Sequence, residues 1–583
     1  MTNFRLGRDV APHLRPPVCW YHPLVLFKIA LDVLSSLNQF RNRDERENFT
    51  LPLTLIDRSR SSDDNFWFDF MADTGDGGNA TYAVATTALA ESVQDTDGQP
   101  LLRGELLLLG GDLAYPSAST LEYRYRFVEM FEAALPEGDA TTSLVRGQPF
   151  TVAALPQNHD WMDSASTFGR YFLRNKQSRQ FLEASIPQQQ SYFCVRLPHG
   201  WWVLGFDFAM TDDMDRDQFE QFTNLLSDQS SPGIGQQDRV ILIYPHPVWT
   251  TPVSDGVCPG GALRYQLFEG LLGDRVALRL TGDLHHYTRW TSQQEGQLVI
   301  CGSGGAFTHP THTRLTNSPI VLQRVDNAQA IPESAGCRVQ MGIDDGQHQG
   351  TVHAFEKVKG SEFPPLAQSR RLALGNITAL FGAGGTWADG NRWFAVLMGV
   401  LYLFSSALSA SGLGMLLMFL MFGTLCMAIG WEALQEVSPK WPAWRRYGLT
   451  IGSSLTHTLC HCGLAWSIAH ILPVWVALGM FGTGALLGTL VFGTWLAVMS
   501  WCGYLTNNGF SALALQNFKG FMRFKISADG TLHGYFVAID KTPRQWKIGI
   551  HKRPIWEPIP CPLVARVHDS FTVQKSIVPQ STG

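Results

Sequence analysis

Two stretches of this chain carry no Asp, Glu, Lys or Arg: Trp393 to Trp431 and Tyr447 to Phe518. A helix needs about 20 apolar residues to cross the hydrocarbon layer of a bilayer, so each stretch has room for more than one crossing. The first is interrupted by the small residues Ser409-Ala410-Ser411-Gly412 and the second by Leu472-Pro473. Four transmembrane helices, arranged as two hairpins within 393–505, are therefore expected. Trp393, Trp431, Trp441, Trp444 and Trp501 fall near the expected ends, where aromatic rings favour the membrane–water boundary. Only 16% of the whole chain is charged, against the usual quarter or so, and these stretches account for the shortage.

The basic residues suggest an orientation. Arg370, Arg371 and Arg392 precede the first span, Lys440, Arg445 and Arg446 lie in the middle loop, and Lys519, Arg523 and Lys525 follow the last. The two hairpin tips, around Ser411 and Pro473, carry none. Positive charge stays inside, which places both large soluble parts in the cytoplasm and the chain in an inner or plasma membrane. Met1 to Pro17 has charges and prolines rather than the apolar core of a signal peptide. Ten cysteines without a paired framework fit a reducing compartment. A net charge of −5 leaves no excess of cations for a phosphate backbone, so a nucleic-acid partner is not expected. Residues 19–40 read as an amphipathic helix with Leu24, Phe27, Leu31 and Leu34 on one face, packed on the soluble part or lying in the membrane interface.

Between about residues 50 and 365 one arrangement recurs: an apolar, β-rich run that ends in an acid, an Asn or a His. FWFDFMADTGDGG ends at Asp73, LLLLGGDLAYP at Asp112, and FTVAALPQNHDW at Asn158-His159-Asp160. VILIYPHPVW ends at His246 and ALRLTGDLHHYTRW at Asp283 and His285. Nearly continuous Val, Ile and Leu mark strands buried on both faces of a layered sheet. The carboxyl ends of such strands are where α/β folds gather their sites. Oxygen and imidazole donors meeting there suit manganese, iron or zinc rather than a cysteine-rich structural zinc site.

As an ordered set these motifs resemble the calcineurin-like metallophosphoesterases, and within them the purple acid phosphatase pattern GDxG, GDxxY, GNH[DE], a lone His and GHxHxY. The resemblance covers about 66–310. It implies an α/β/β/α sandwich of two mixed sheets, joined here to an all-α membrane region of four helices and a small β-rich C-terminal tail. The implied division is an N-terminal extension 1–50, a metallophosphoesterase catalytic domain 51–365, a linker 366–392, the membrane helices 393–505 and a β-rich cytoplasmic region 506–583.

The resemblance also implies two divalent or trivalent metal ions. Asp73 and His285 would hold one, Asn158 and His246 the other, and Asp112 would bridge them. Tyr115 stands where the pattern places a phenolate ligand; a supporting hydrogen bond is the alternative. Three departures bear on this. Asp76 gives the literal GDGG, although Asp73 ends the strand directly. Gln157 replaces the glycine before Asn158. Asp283 replaces the first histidine of the last motif, with His286 as an alternative source of the missing imidazole.

The implied chemistry is hydrolysis of a phosphate mono- or diester, or a pyrophosphate, by a hydroxide that the two cations share. His159 would assist the leaving oxygen, and Asp160 would orient its ring. His286 and His309 are candidate substrate contacts, although His309 and His312 also read as surface histidines. The bilayer is the expected partner of the membrane helices, and tethering to it favours a lipid-linked phosphate ester among the substrates. His457 and His461, one helical turn apart in the membrane part, suit a metal or haem, or two neutral packed rings. A membrane scaffold or sensor that kept the fold while its last motif decayed is the alternative to an enzyme.

Overall fold

A computed structural model describes residues 14–42, 46, 51–59, 65–135, 144–173, 181–227, 232–253, 263–326, 337–346, 351–382, 391–408, 412–436, 441–471, 476–548, 556–559 and 562–575. The expected hairpin tips at Ser411 and Pro473, and Lys440 between the spans, lie outside the described residues.

The main strands in chain order are β1 (Leu55–Asp57), β2 (Phe66–Met71), β3 (Leu106–Leu109), β4 (Thr151–Ala154), β5 (Phe193–Arg196), β6 (Trp201–Gly205), β7 (Arg239–Tyr244) and β8 (Val276–Thr281). They continue as β9 (Tyr287–Ser292), β10 (Gly296–Cys301), β11 (Ile320–Asp326), β12 (Cys337–Ile343), β13 (Thr351–Lys357), β14 (Lys519–Ile526), β15 (Leu532–Ile539) and β16 (Arg566–Val573). One sheet has ten strands in the order β1-β5-β6-β7-β8-β10-β9-β13-β11-β12. The other has six, β16-β15-β14-β2-β3-β4. Both mix parallel and antiparallel pairs: β6, β7, β8 and β10 run parallel in the first, and β2, β3 and β4 in the second.

The alternation in FWFDFM sets the layering. Phe66, Phe68 and Phe70 enter a core shared with Val203, Ile241 and Leu278 of the facing sheet. Met71 joins a second core beneath the helix Gly78–Leu89. Leu204 and Leu242 meet Phe222 and Phe268 of the helices Arg216–Asn224 and Arg264–Leu272 on the far side of the larger sheet. Two sheets face to face, each covered outside by helices, give the four layers.

The β-rich C-terminal tail forms a hairpin, turning at Gly530 with φ +81°. It belongs to the smaller sheet: β14 runs antiparallel to β2, with Phe524 opposite Phe68 and their rings stacked at 4.7 Å. The chain thus leaves the head, forms the apolar helices and returns to complete the sheet it left. Arg523 fixes this return with a buried two-pronged ion pair to Asp69, at 2.8 and 2.9 Å.

The helical region is α1 (Pro23–Asn42) followed, after the head, by α2 (Trp393–Leu408), α3 (Gly412–Trp431), α4 (Ala443–Ile471), α5 (Val476–Thr483) and α6 (Thr489–Trp501). A π-type turn at Gly484–Gly488 joins α5 to α6. The expectation of four spans is corrected to two: among the described residues only α3 and the stretch Leu478–Trp501 are long and apolar enough to cross a membrane. Helix α2, at 16 residues, falls short of the length required. Helix α4 is long enough but carries Thr450, Ser453, Ser454, Thr456, His457, Thr458 and His461 along its middle. The orientation also loses support, because Lys519 and Arg523 are buried in the head rather than placed beside a membrane.

Candidate metal centre

Five loops leave the carboxyl ends of parallel strands at one rim: Asp73 follows β2, Asp112 follows β3, Asn158 to Asp160 follow β4, His246 follows β7, and Asp283 and His285 follow β8. Three of these aspartates share a backbone feature. Asp73, Asp112 and Asp283 have φ of +57°, +51° and +69°, in the left-handed region that L residues other than Asn and Asp rarely enter. Such positions cost about 1–3 kcal/mol and persist where surrounding contacts fix them. Here Asp73 N–H donates to Gly111 O at 2.9 Å, Ala306 N–H donates to Asp73 O at 2.8 Å, and Asp283 N–H donates to Asp73 Oδ2 at 2.9 Å. Glycines in the loops after β8 and β10 allow this closeness: a Cβ at Gly282 or Gly302 would lie 2.4 or 2.7 Å from Asp73 Oδ2.

The turns bring four side chains to one point. The Tyr115 hydroxyl is 3.1 Å from Asp73 Oδ1, 3.0 Å from Asp112 Oδ2 and 3.1 Å from His285 Nε2. His285 Nδ1 sits 2.8 Å from the carbonyl of Phe307, which can only accept, so the ring proton is on Nδ1 and Nε2 is bare. Burial, with the nearby charges of His309 and Lys519, holds the ring neutral by pushing its pKa well below the usual range. Two carboxyl oxygens and a bare imidazole nitrogen therefore converge on one hydroxyl.

The acids show the strain of that crowding. Burial first, then the charges of Asp112 and Asp283, push Asp73 well above the ordinary carboxylate range. Burial and Asp283 push Asp112 up to about 8. Burial and the same acids keep the Tyr115 phenol protonated. Among the described residues no group of three or more His, Cys, Asp or Glu side chains is arranged to hold a metal ion directly; the Tyr115 hydroxyl stands where their donor atoms converge. The donor set nonetheless fits a hard or borderline cation, since carboxyl and phenol oxygens and a bare imidazole nitrogen converge there.

The other expected residues are placed as follows. Asp76 is turned away from the cluster and accepts from the backbone N–H groups of Val18 and Phe307, at 2.6 and 3.0 Å. Burial raises the pKa of Asp283, against the opposing pull of His246 and His159, so these three lie within electrostatic reach of one another. His246 is half-buried beside Phe208, and Asn158 sits exposed at the start of a short helical turn. Gln157 takes the place of the expected glycine by hydrogen-bonding the carbonyl of Gly110 through Nε2, at 2.6 Å, with its side chain against Gly111.

Asp160 does not contact the His159 ring as expected. It accepts from the backbone N–H groups of Asp112, Leu113 and Gln157 and from the Tyr123 hydroxyl, and so ties the second and third loops together. The His159 ring is held instead by the carbonyl of Pro116, 2.6 Å from Nδ1, which leaves Nε2 free. Burial lowers its pKa.

His309 and His312 are buried rather than on the surface. His309 stacks on His285 at 4.0 Å, and its Nδ1 accepts from His285 N–H at 2.9 Å, which makes it a support for that ring. His286 faces a separate cavity of about 170 Å³ with Glu432 and Glu436, and its ring nitrogens have no partner among the described residues. His457 and His461 form their own cluster between helices, 3.0 Å apart through their Nε2 atoms, with Tyr402 hydrogen-bonded to His461 at 2.8 Å.

Two neighbours of the centre were not singled out from sequence. Trp20 lies edge-on to Tyr115, His159 and Phe307, at 6.2, 5.8 and 5.9 Å between ring centres. Lys519, the first residue of β14, is buried near Asp73 and Asp76, donates to Thr308 Oγ1 at 2.9 Å, and has its pKa lowered to about 7 by burial. Proximity across the fold brings both to the site, and no local spacing announces either.

No family model matches the chain, and no curated protein matches it. Among solved structures it is similar to GAP50, described as the anchor in the inner membrane complex of Plasmodium, at 10% identity and a TM-score of 0.29, over 51% of this chain and 90% of that one. It is similar to a purple acid phosphatase from yellow lupin seeds at 13% identity and a TM-score of 0.26, over 50% of this chain and 55% of that one. A dimetal phosphatase from Danio rerio follows at 11% identity and a TM-score of 0.20, over 44% of this chain and 94% of that one. Likenesses this distant say nothing of activity.

Proposed function

We propose that the chain is a membrane-anchored, two-metal phosphoesterase that hydrolyses a phosphate mono- or diester or a pyrophosphate. The observation that carries this reading is the crowding of Asp73 Oδ1, Asp112 Oδ2 and His285 Nε2 around the Tyr115 hydroxyl. Asp73, Asp112, His285 and Tyr115 would hold one cation. Asn158, His246 and Asp283 would hold the other with Asp112. Bound there, two cations would supply positive charge to the phosphoryl oxygens and lower the pKa of water.

The chain's own residues do the rest. The Pro116 carbonyl orients His159 so that Nε2 faces outward, where a protonated ring can give its proton to the leaving oxygen. Asp160 holds the loops that carry Asp112 and His159 in register. His309 keeps His285 in place. The Trp20 Nε1–H is buried with no partner among the described residues and is a donor that an anionic substrate can satisfy.

A scaffold that lost its chemistry is the second reading, and the lack among the described residues of three His, Cys, Asp or Glu side chains arranged directly around one point favours it. Full-length protein in detergent, assayed on p-nitrophenyl phosphate and its bis ester with Mn(II) or Fe(II), separates the two. Metal-dependent hydrolysis that disappears in Asp112→Asn supports the enzyme, and no hydrolysis under any metal supports the scaffold.

A further inference from the structure

Helix α1 turns an apolar face outward. Leu24, Phe27, Leu31 and Leu34, one stripe at helical spacing, are 72%, 64%, 51% and 66% exposed. A helix resting on a soluble head shows the opposite pattern, apolar side in and polar side out. The inward side of α1 is occupied. Val25 packs against Val18, Tyr115 and Ala306, and Asp32 accepts from the Ser117 hydroxyl at 2.9 Å.

The start of α1 fixes its level relative to the membrane helices. Tyr21 N–H donates to Asn391 Oδ1 at 3.0 Å, the Tyr21 ring lies against Phe394 and Phe492, and His22 lies against Trp393. Trp393 opens α2, and the antiparallel neighbour α3 ends at Trp431, so α1 begins at the head-side rim of the bundle. The helices beside it expose apolar side chains as well, among them Phe404, Leu413, Leu416 and Leu420 on α2 and α3. Just before α1, Trp20 lies across His159 and Tyr115.

We propose that α1 is an interfacial helix, seated through Leu24, Phe27, Leu31 and Leu34 in the headgroup–acyl boundary of the bilayer, and that it holds the Trp20 side of the candidate centre at the membrane surface, so that the phosphate ester taken there is carried by a lipid. The substrate half of this rests on the hydrolase reading above; the seating of α1 does not. In the reaction, the oxygen of water bonds to phosphorus and the bond from phosphorus to the lipid alcohol oxygen breaks. The proton passes to that oxygen, so inorganic phosphate leaves into water and the alcohol stays in the bilayer. Burying several large apolar side chains of α1 is enough to shift its partition by tenfold or more for each about 1.4 kcal/mol gained.

The test uses full-length protein in phosphatidylcholine nanodiscs, with accessible cysteines replaced by serine and a spin label at position 27 or 31. Collision with oxygen should dominate at both positions, as at a label replacing Leu416, and collision with a water-soluble nickel complex should dominate at a label replacing Ser92. Nickel access at 27 and 31 equal to that at 92 overturns the seating. With phosphatidic acid in the nanodisc, the double variant Phe27→Glu, Leu31→Glu should lower phosphate release about tenfold or more while hydrolysis of p-nitrophenyl phosphate is unchanged. Equal loss on both substrates, or none on either, overturns the lipid assignment. If the wild type hydrolyses neither substrate, the hydrolase reading and the lipid assignment fall together, and the spin-label profile still decides the seating of α1.

Discussion

The bare Nε2 of His285 lies 3.1 Å from the Tyr115 hydroxyl, and that hydroxyl also faces Asp73 and Asp112 at 3.1 and 3.0 Å. Replacing Tyr115 with Phe removes the hydroxyl on which Asp73, Asp112 and His285 converge. Leaving buried acceptors without a donor costs about 1–3 kcal/mol. Calorimetry of the chelated protein should show Tyr115→Phe melting below the parent. An unchanged melting temperature would contradict that convergence.

The pH dependence of the metal-free protein follows from Asp112. Its pKa rises from 3.8 to about 8 on folding, so the folded state holds a proton that the unfolded state has lost between those values. The stability this contributes is complete below 3.8 and is lost as pH rises through about 8. The melting temperature of the chelated protein should therefore fall over that range. Mn(II) should lessen the fall, because a cation takes the place of the proton. A melting temperature that rises over the same range in chelator would contradict the account.

His159 sets a different pH dependence. Burial lowers its pKa below 6.5, so the protonated ring needed at the leaving oxygen is lost as pH rises through a value under 6.5. The rate should fall on that limb, and His159→Asn should remove the limb and lower kcat about 10²–10⁴-fold while metal content is unchanged. Asp160→Asn should lower stability, since Asp160 ties backbone amides and Tyr123 together, and should move the limb to lower pH, since its charge raises the pKa of the neighbouring His159 ring. A limb that stays in place in Asp160→Asn would contradict that electrostatic coupling.

The resemblance carried by the ordered motifs implied that Asp73, Asp112, Tyr115 and His285 serve one site, and their side chains do meet at the Tyr115 hydroxyl. What the sequence did not show lies in contacts between distant segments. The hairpin of β14 and β15 has a strand pattern that is satisfied equally by a separate unit or by the edge of another sheet, and only the pairing of Phe524 with Phe68 decides it. Lys519 and Arg523 read as charges beside a membrane because nothing local tells a solvated cation from one buried against Asp69. Counting charges gave four spans, since a helix lined with Ser, Thr and His is as uncharged as one lined with Leu. Asp160 stands next to His159 in sequence, but a helical turn sends successive side chains in different directions.

The return of the chain to the head makes a further stability prediction. Asp69 and Arg523 are both buried, and Arg523 also donates to the carbonyls of Leu101 and Ala88, at 3.1 and 2.7 Å. Removing one partner of such a pair leaves an uncompensated buried charge and costs about 3–5 kcal/mol. Asp69→Asn should lower the denaturant midpoint accordingly, and combining Asp69→Leu with Arg523→Met should recover much of the loss. A single variant as stable as the parent would mean that the pair does not hold β14 against β2.

The rim of the two sheets is proposed to hold metal. Elemental analysis of the full-length protein, purified after supplementation with manganese and iron and compared with Asp112→Asn prepared alongside, tests it most directly. About two equivalents per chain in the parent, clearly reduced in the variant at equal folding, is the predicted result. A folded parent that retains no metal, or a variant that retains as much as the parent, would contradict it.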